Sequence, residues 1–311
     1  MIITVTLNPA VDKTVEIGNF EAGKVNRVSS IRLDAGGKGI NVSKVLMSLG
    51  GGSKAVGILG GSAGNFIKKY LDSHGIENDF LLINAETRIN LKVIDSLRKT
   101  NTDINEPGPL IAQADIDAIE KIIFSNIRKD TVLVLSGSVP SNVDKVIYAR
   151  WIAAAKTAGA KTILDADGEL LDNGIKAGPT IVKPNIYELG MLFGTEIDSI
   201  QSADKAARSL IEQYGIEVVA VSMGEKGAIF LSRSHTIFVP GIKVDVISTV
   251  GAGDAMVAAL AFSANKGCNF EKTVRLATAA ATANVTTSGT QPADYNRIVE
   301  LESLVKLEYL Y

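Results

Sequence analysis

Cysteine, histidine and tryptophan are almost absent from this sequence, and their scarcity excludes several classes of protein. The 311 residues include one cysteine, Cys268, one tryptophan and two histidines. A single thiol cannot form an internal disulfide, and so few cysteines and histidines do not suggest a metal cluster. His74 and His235 lie outside every motif described below, so neither is expected to be catalytic. The chemistry of this chain must therefore come from other residue types.

An excess of charge of either sign is also missing. The 32 lysines and arginines nearly balance the 34 aspartates and glutamates, which leaves a formal net charge of -2. Without a basic field we expect no nucleic-acid partner, and an anionic substrate would need local cations. No positively charged leader precedes the first apolar run, and the most apolar window, residues 255–264, is too short to span a bilayer. We therefore expect a cytoplasmic protein without a membrane partner.

Apolar residues, 46% of the chain, lie in short runs that alternate with longer segments of helical character. The runs predicted as buried strands are residues 2–7, 131–135, 162–165, 181–182 and 217–222. The segments predicted as helices are residues 41–49, 65–73, 114–125, 143–157, 202–214 and 252–264. Strands separated by helices predict βαβ units, and hence a three-layer α/β/α fold around a mostly parallel sheet. Ligands in such folds bind at the carboxyl ends of the strands.

Two stretches interrupt the alternation of strands and helices. Residues 14–34 contain two strand-like runs without a helix between them, and residues 89–105 contain the alternating run NLKVID followed by a polar turn at 96–102. Alternation predicts strands with one exposed face. We predict a single domain over residues 1–311, with a small β-sheet lid inserted from about 12–35 and 87–108. A plain surface hairpin is the alternative.

The most informative segment is STVGAGDAM, at residues 248–256. The bare N–H groups and the dipole at a helix N-terminus bind anions, and the glycines of Gly251-Ala252-Gly253 allow a phosphate to approach the backbone. Asp254 follows in the first helical turn, where a carboxylate could act as general base for a hydroxyl that attacks phosphorus. The alternative is a glycine-rich helix start in which Asp254 only stabilises the helix dipole.

A second glycine-rich segment, AGGKGINVS at residues 35–43, also leads into a predicted helix. It offers an open backbone at Gly37, a cation at Lys38 and an amide at Asn41, which suit an anionic ligand with many hydroxyls. It is not a Walker loop, because Ser or Thr does not follow the lysine, and it lacks the GxGxxG spacing of dinucleotide folds. By itself it could also be a tight turn with a solvated lysine.

Taken together and in order, these segments resemble the phosphofructokinase B (ribokinase-like) family of carbohydrate kinases over essentially the whole chain. Five further blocks carry the resemblance: LNPAVD at 7–12, TRIN at 87–90, SGSVP at 136–140, KPNIYEL at 183–189 and SMGEKG at 222–227. Each block is weak alone, whereas the ordered set is specific. The resemblance implies the ribokinase-like fold with a β lid, ATP as phosphoryl donor, Mg²⁺, and a sugar phosphate as substrate.

The resemblance also implies a role for each residue of these blocks. Asp254 becomes the general base, with Gly251, Ala252 and Gly253 as the anion hole. The implied sugar-phosphate ligands are Asp12, Gly37, Lys38, Asn41, Arg88, Asn90, Lys92, Asn105 and Ser136. The implied ATP ligands are Lys183, Asn185, Ser222, Gly224, Gly227 and Asn284. Asn185 and Glu188 are the implied magnesium residues, acting through water, and Lys38 and Arg88 are the candidates for the phosphate already on the sugar.

Several alternatives stay open at this level. LNPAVD, ETRIN, TDINEPG at 102–108 and STVGAGDAMVA are most similar to family members that phosphorylate fructose 1-phosphate. Members that act on tagatose 6-phosphate tend to carry a serine where Ala252 stands, and those acting on free sugars often carry an aspartate where Ser248 stands. A sensor that binds a sugar phosphate without catalysis is less favoured, because Asp254 is intact. Exposed strand edges in the lid make a homodimer through the lid plausible.

Overall fold

A large, mostly parallel sheet forms the centre of the molecule. The structure is a computed structural model that describes residues 1–310. Its strands are, in chain order, β1 (Ile2–Thr6), β2 (Ala10–Ile17), β3 (Val28–Gly36), β4 (Lys54–Gly60), β5 (Glu77–Ile83), β6 (Arg88–Asp95), β7 (Thr100–Ile104), β8 (Val132–Ser136), β9 (Lys161–Asp165), β10 (Ile181–Val182), β11 (Val218–Ser222), β12 (Gly227–Ser232), β13 (Thr236–Pro240) and β14 (Glu308–Tyr309).

The order of strands in this ten-stranded sheet is β14-β13-β12-β11-β10-β9-β8-β1-β4-β5. All neighbours from β11 to β5 pair in parallel, while β11 to β14 pair antiparallel and form one edge. The carboxyl ends of seven adjacent parallel strands therefore lie along the same side of the molecule. This is the side on which an open α/β sheet binds its ligands.

Helices cover both faces of the sheet, which confirms the predicted three-layer architecture. They are, in chain order, α1 (Lys38–Ser48), α2 (Gly61–Ser73), α3 (Gln113–Asn126), α4 (Ile147–Thr157), α5 (Gly168–Lys176), α6 (Ile186–Phe193), α7 (Ile200–Tyr214), α8 (Ala252–Lys266), α9 (Phe270–Asn284) and α10 (Tyr295–Leu304). Within residues 1–310, no helix combines the length and the hydropathy that crossing a membrane requires.

Each face of the sheet buries its own apolar core. One core lies beneath α3, α4, α5 and α7 and contains the fully buried Trp151 and Tyr148. The other lies beneath α1, α8, α9 and α10 and contains much of the alanine of the chain. Helix α8 is buried along most of its length, and it packs against both α1 and α9. Its alanines allow this close approach, because small side chains keep neighbouring helix axes near one another.

A second sheet, here called the small sheet, has the strand order β3-β2-β6-β7. Strand β2 pairs antiparallel with β3 and parallel with β6, so the segment before α1 and the segment after β5 meet in one sheet. The turn between β6 and β7 is shorter than predicted, and β7 already begins at Thr100. The reason is that Asp95 Oδ1 accepts hydrogen bonds from Leu97 N (3.0 Å) and Arg98 N (2.9 Å), which closes the chain quickly.

Two helix boundaries also differ from the prediction. The helix predicted from residue 143 begins only at Ile147, because Asp144 Oδ1 accepts a hydrogen bond from Val146 N at 3.0 Å and holds a turn there. The helix predicted from residue 41 begins at Lys38, directly after Gly37. Lys38 and Asn41 therefore lie in the same first turn of α1, which brings both side chains toward the carboxyl edge of the sheet.

Candidate active site

A cleft of about 1830 Å³ runs along the carboxyl edge of the large sheet, beneath the small sheet. Every predicted site residue except Asn284 lines it. These residues are Asp12, Gly37, Lys38, Asn41, Arg88, Asn90, Lys92, Asn105, Ser136, Lys183, Asn185, Glu188, Ser222, Gly224, Gly227, Gly251, Ala252, Gly253 and Asp254. The fold thus brings segments that are far apart in the chain together in one cleft. The geometry of each segment indicates its possible chemical role.

The start of α8 has the features of an anion site. Gly251 adopts a left-handed conformation (φ 84°), which glycine tolerates best, and the helix follows at once. Across residues 1–310 no side chain caps this helix start, so its first N–H groups point into the cleft region uncapped. A Cβ at Gly253 would lie 3.4 Å from Lys183 Nζ, which places a cation beside the same turn. Phosphate binds well where open N–H groups, a helix dipole and a cation converge.

Asp254 is buried directly beside this turn. Its Oδ2 accepts a hydrogen bond of 2.8 Å from Asn41 Nδ2, which links α8 to α1. Burial raises the pKa of Asp254 to about 6, Asp165 adds to this rise, and Lys38, Asn41 and Lys183 oppose it. At neutral pH the carboxyl is then mostly ionised yet more basic than an exposed aspartate. A group of this kind is suited to accept a proton.

Asp165, at the tip of β9, holds two lysines in the middle of the cleft. Its Oδ1 lies 3.2 Å from Lys183 Nζ and its Oδ2 lies 3.3 Å from Lys38 Nζ. Burial opposes ionisation of Asp165, but the two lysines outweigh it and lower its pKa below the ordinary value. Burial likewise opposes the Lys38 ammonium, yet Asp165, Asp254 and Glu188 raise the pKa of Lys38. Asp165 and Lys38 are therefore both charged at neutral pH.

Asp165 is a site residue that the sequence analysis missed. The signal was present, because Asp165 ends an apolar run at a strand tip. The pairing itself was not visible, since Lys38 precedes Asp165 by more than a hundred residues. The ammonium of Lys38 lies beside Asp165, and that Lys38 binds the phosphate of a sugar stays a prediction.

The small sheet supplies a group of polar side chains to the opposite wall of the cleft. Asp12 and Asn90 are paired across β2 and β6, and Asn90 Nδ2 donates to Asp12 Oδ1 at 3.1 Å. Burial raises the pKa of Asp12. Gly36 leaves room for this carboxylate, because a Cβ there would lie 2.2 Å from Asp12 Oδ2. A carboxylate and an amide side by side are suited to bind neighbouring hydroxyls of a sugar.

Two cations of the small sheet are already engaged by the protein. Arg88 Nη1 donates to Glu106 O at 2.8 Å and Nη2 donates to Asn8 O at 3.0 Å. Lys92 Nζ lies 3.1 Å from Asp103 Oδ1. These contacts hold both side chains at the rim of the cleft. Asn105 follows β7 as an exposed residue, and Ser136 ends β8 as a buried one.

Asn185 and Glu188 form a capping box at the start of α6. Asn185 Oδ1 accepts from Glu188 N at 2.8 Å, and Glu188 Oε2 accepts from Asn185 N at 2.8 Å. The N-x-x-E spacing thus has a structural purpose, and it leaves at most one Glu188 oxygen for another ligand. No cluster of three or more His, Cys, Asp or Glu side chains able to hold a metal occurs in the described part of the chain.

The remaining residues that are predicted to contact ATP divide into open and supporting positions. Gly224 has a positive φ of 62° and no atom within 4 Å of the place of a Cβ. Gly227 is constrained by the fold, because its Cβ would lie 2.0 Å from Val239 O. Asn284 is buried behind the cleft and donates to Val250 O at 3.3 Å, so it holds the glycine turn from behind. That Asn284 contacts ATP stays a prediction, and so does the same role for Ser222.

Residues 3–296 match the model of the pfkB family of carbohydrate kinases. The chain belongs to this family. Over 286 residues it is 38% identical to the 1-phosphofructokinase of Borreliella burgdorferi, and the match covers 91% of each chain. Over 278 residues it is 38% identical to the 1-phosphofructokinase of Bacillus subtilis, with 89% of each chain covered. The resemblance identified from the motifs is thereby confirmed, and the chain is an ATP-dependent sugar kinase.

Solved structures of other proteins share the fold. Phosphofructokinase-2 from Escherichia coli, in complex with substrates and products, is 28% identical and superposes with a TM-score of 0.93, covering 97% of this chain and 98% of that one. The same protein has been crystallised with fructose-6-phosphate and in a tetrameric inhibited form. The ribokinase-like architecture predicted from the sequence is confirmed by these neighbours.

We predict that Asp165→Asn lowers the free energy of unfolding by about 3–5 kcal/mol, because the buried Lys183 ammonium loses its carboxylate partner. Urea denaturation at pH 7 measures the change. The control is Asp172→Asn, whose ion pair with Lys176 (2.7 Å) is half-exposed and is expected to contribute less than about 1 kcal/mol. Equal effects of the two substitutions would show that Asp165 is not the anchor of the two lysines.

Proposed function

We propose that the chain transfers the terminal phosphoryl group of ATP to fructose 1-phosphate and produces fructose 1,6-bisphosphate. The observation that carries the proposal is Asp254, a buried carboxylate of raised pKa beside an uncapped helix start. The names of the curated relatives support fructose 1-phosphate as the acceptor. Family membership alone gives the coarser statement, a sugar-phosphate kinase.

Asp254 acts as general base in this proposal. It takes the proton from the free terminal hydroxyl of the sugar phosphate as the hydroxyl oxygen bonds to the terminal phosphorus of ATP. The bond from that phosphorus to the bridging oxygen breaks, and ADP leaves with the electron pair. The N–H groups of Gly251, Ala252 and Gly253 bind the oxygens of the transferring phosphoryl, where charge shifts during the transfer. Lys183, held at this turn by Asp165, adds a fixed positive charge.

The sugar phosphate lies between the small sheet and the start of α1. Asp12, Asn90 and Asn41 bind its hydroxyls, as paired carboxylate and amide groups do. Arg88 and Lys92 at the cleft rim bind its existing phosphate, the first with two parallel hydrogen bonds and the second as a point charge. The other residues that we assign to this half of the site are Gly37, Lys38, Asn105 and Ser136. The ammonium of Lys38 can interact with both the phosphate of the sugar and the phosphoryl group that is transferred.

ATP lies along the carboxyl edge toward β11 and β12. Gly224 gives the nucleotide access to the backbone, since it has open space beside it, while Gly227 is the glycine that the fold needs where β12 begins. Lys183 contacts the phosphates, Asn185 and Ser222 complete this half of the site, and Asn284 supports the glycine turn from behind. Magnesium would be held chiefly by water and by ATP phosphates, because the Asn185–Glu188 capping box offers it at most one carboxylate oxygen. Bound there, it would neutralise charge on the phosphates.

We further propose that the small sheet is a lid on one domain comprising residues 1–311, with the inserted segments at about 12–35 and 87–108. Its polar face already lines the cleft, so closure over the sugar would remove water from the acceptor hydroxyl. Exclusion of water limits the wasteful hydrolysis of ATP. The small sheet would therefore bind the sugar and protect the reaction at once.

A hexose 6-phosphate is the second candidate acceptor. One specific observation favours it, namely that phosphofructokinase-2 from Escherichia coli shares this fold and has been solved with fructose-6-phosphate. Tagatose 6-phosphate belongs to the same class of acceptor. A protein that binds sugar phosphate without catalysis is less consistent with Asp254, since burying an ionised carboxylate beside an anion site is unfavourable for binding alone.

We predict that fructose 1-phosphate has the highest kcat/KM among fructose 1-phosphate, fructose 6-phosphate, tagatose 6-phosphate and ribose. ADP release with magnesium-ATP, coupled to NADH oxidation, measures all four under the same conditions. A preference for a 6-phosphate would retain the fold and the base but discard the proposed acceptor. Absence of turnover with every acceptor would instead favour the binding protein.

We predict that Asp254→Asn lowers kcat by a factor of about 100 to 10000, because the amide cannot accept the hydroxyl proton. In the wild type, kcat should fall below about pH 6, since the raised pKa makes protonation of Asp254 begin there. The control is Asp115→Asn, an acidic residue in the first turn of α3 that does not line the cleft, which should leave kcat unchanged. Near-wild-type turnover of Asp254→Asn would exclude the base assignment.

The same substitution separates catalysis from stability. The folded-state pKa of Asp254 lies above its unfolded value, so the native state binds the proton more tightly. The wild type therefore loses stability as the pH rises from about 4 to about 6. Because Asn carries no charge, Asp254→Asn should melt no lower than the wild type at pH 8, by differential scanning fluorimetry. A melting temperature well below the wild type would mean that lost kcat reflects misfolding.

We propose in addition that the outer face of the small sheet forms a homodimer. Side chains of its strands alternate between two faces. Asp12, Thr14 and Asn90 line the cleft, whereas Ile31 and Leu33 of β3 are 60% and 47% exposed. An exposed apolar sheet face with an open edge is a common association surface.

We predict a dimer for the wild type and a monomer for Ile31→Lys, measured by sedimentation velocity. Placing a charge in an apolar interface carries a large desolvation penalty, so the substitution should shift the equilibrium strongly. Leu82→Lys is the matched control, because Leu82 is equally exposed (60%) but lies on β5 of the large sheet. A monomeric wild type, or dissociation by both substitutions, would contradict this interface.

A further inference from the structure

Lys44 is a buried lysine next to the proposed base that the mechanism above does not use. It lies in α1 and is only 4% exposed. Its ammonium donates to Ala35 O, donates to Asn41 Oδ1 at 3.3 Å, and lies 5.2 Å from the centre of the Tyr70 ring. Lysine is almost never fully buried unless its charge is paired. These specific contacts of the buried ammonium indicate that Lys44 has a role besides packing.

The contact with Asn41 fixes which end of that amide faces Asp254. An ammonium can only donate, so Lys44 binds the oxygen of the Asn41 side chain and not its nitrogen. The nitrogen is thereby directed to Asp254 Oδ2, at 2.8 Å. Lys44 and Asn41 are three positions apart on α1, which places them on one face of the helix. The two hydrogen bonds form a continuous chain from Lys44 to the carboxylate.

The titratable groups that face Lys44 come from four elements. They are Asp12 on β2, Asp34 on β3, Asp254 on α8 and the phenol of Tyr70 on α2. Burial lowers the pKa of Lys44 to about 8, and the three carboxylates oppose this fall. Lys44 is thus mostly protonated at neutral pH, when it has hydrogens to donate to Asn41.

We propose that Lys44 is a positioning residue for phosphoryl transfer, which holds the Asn41 amide so that its nitrogen, and never its oxygen, faces Asp254. With the amide reversed, its oxygen would face a carboxylate oxygen, and the carboxylate would hold its proton more tightly. The remaining Asp254 oxygen, Oδ1, would also lose its fixed direction toward the acceptor hydroxyl. This inference rests on the proposed role of Asp254 as base.

A double-substitution cycle tests the chain of contacts. We expect Lys44→Met to lower kcat about 10- to 100-fold, the range for losing a hydrogen bond made by a charged group. Asn41→Ala should lower kcat at least as much. If Lys44 acts through Asn41, the double variant should be no slower than Asn41→Ala alone, because the intermediary is already gone. If the fold-losses of kcat in the two single variants multiply in the double variant, the proposal is overturned.

The pH profile separates positioning from a merely structural role. In Lys44→Met the acid side of the kcat profile should move to higher pH, since Asn41 no longer donates steadily to Asp254. Lys44→Arg, which retains a cationic donor, should recover most of the turnover and the wild-type acid side. The matched control is Lys161→Met, because Lys161 also donates to a carbonyl, Ala264 O at 3.0 Å, but at the opposite edge of the sheet. An unmoved acid side in Lys44→Met would overturn the proposal.

Failure of this inference is distinguishable from failure of the proposed function. If Asp254→Asn retains turnover, the base assignment fails and Lys44 has nothing to position. If Asp254→Asn is inactive while Lys44→Met behaves like Lys161→Met, the base stands and only the role of Lys44 is rejected. Should Lys44→Met not fold, Lys44→Ala replaces it in the cycle, because alanine carries no group that can donate to Asn41 Oδ1.

Discussion

The cleft depends on the interaction of two buried carboxylates with the lysines that lie between them. Asp165 contacts Lys38 and Lys183 directly, and its pKa falls below the ordinary value. Asp254 interacts with the same lysines only through longer-range electrostatics, so the effect of burial is larger and raises its pKa to about 6. The environment thus lowers the pKa of one aspartate and raises the pKa of the other. Such a difference separates a residue with a permanent charge from a residue that can accept a proton. Asp165 stays ionised and anchors the cations, while Asp254 is left with the basicity that proton transfer needs.

Helix packing is what brings Asp254 to this environment. Helix α8 carries alanine along its buried length and lies against α1, so Asn41 of α1 reaches Asp254 of α8 across the interface. Larger side chains on α8 would separate the helices and lengthen that hydrogen bond. The alanine content of this segment therefore serves the site as well as the core. Asn284, at the end of α9, fixes the glycine turn from the other side.

Prediction from the sequence succeeded where one local pattern decided the outcome. Strands such as β8 and β11 are buried on both faces and so appear as continuous apolar runs. Strand β4 escaped prediction, because Gly57 and Gly60 interrupt its apolar run at places where a Cβ would meet backbone atoms at 2.0 Å. The cleft-lining motif residues were predicted from the ordered blocks, but not their partners. Lys44 looks like a surface lysine on a helix, and only the approach of β2, β3 and α8 shows that it is buried among carboxylates.

The two halves of the cleft are also joined directly by one arginine. Arg32 of β3 donates to Asp34 Oδ2 at 2.7 Å and to Ser288 Oγ at 2.5 Å, in the loop that follows α9. Helix α9 ends at Asn284, which holds the glycine turn of the proposed anion hole. Strand β3 of the small sheet thus contacts the loop after α9, and the last residue of α9 supports the glycine turn. If the small sheet moves over a bound sugar, Arg32 must either carry this loop with it or break its contact. As the structure stands, this contact connects the proposed sugar side of the site to the proposed ATP side, through residues that lie outside every motif.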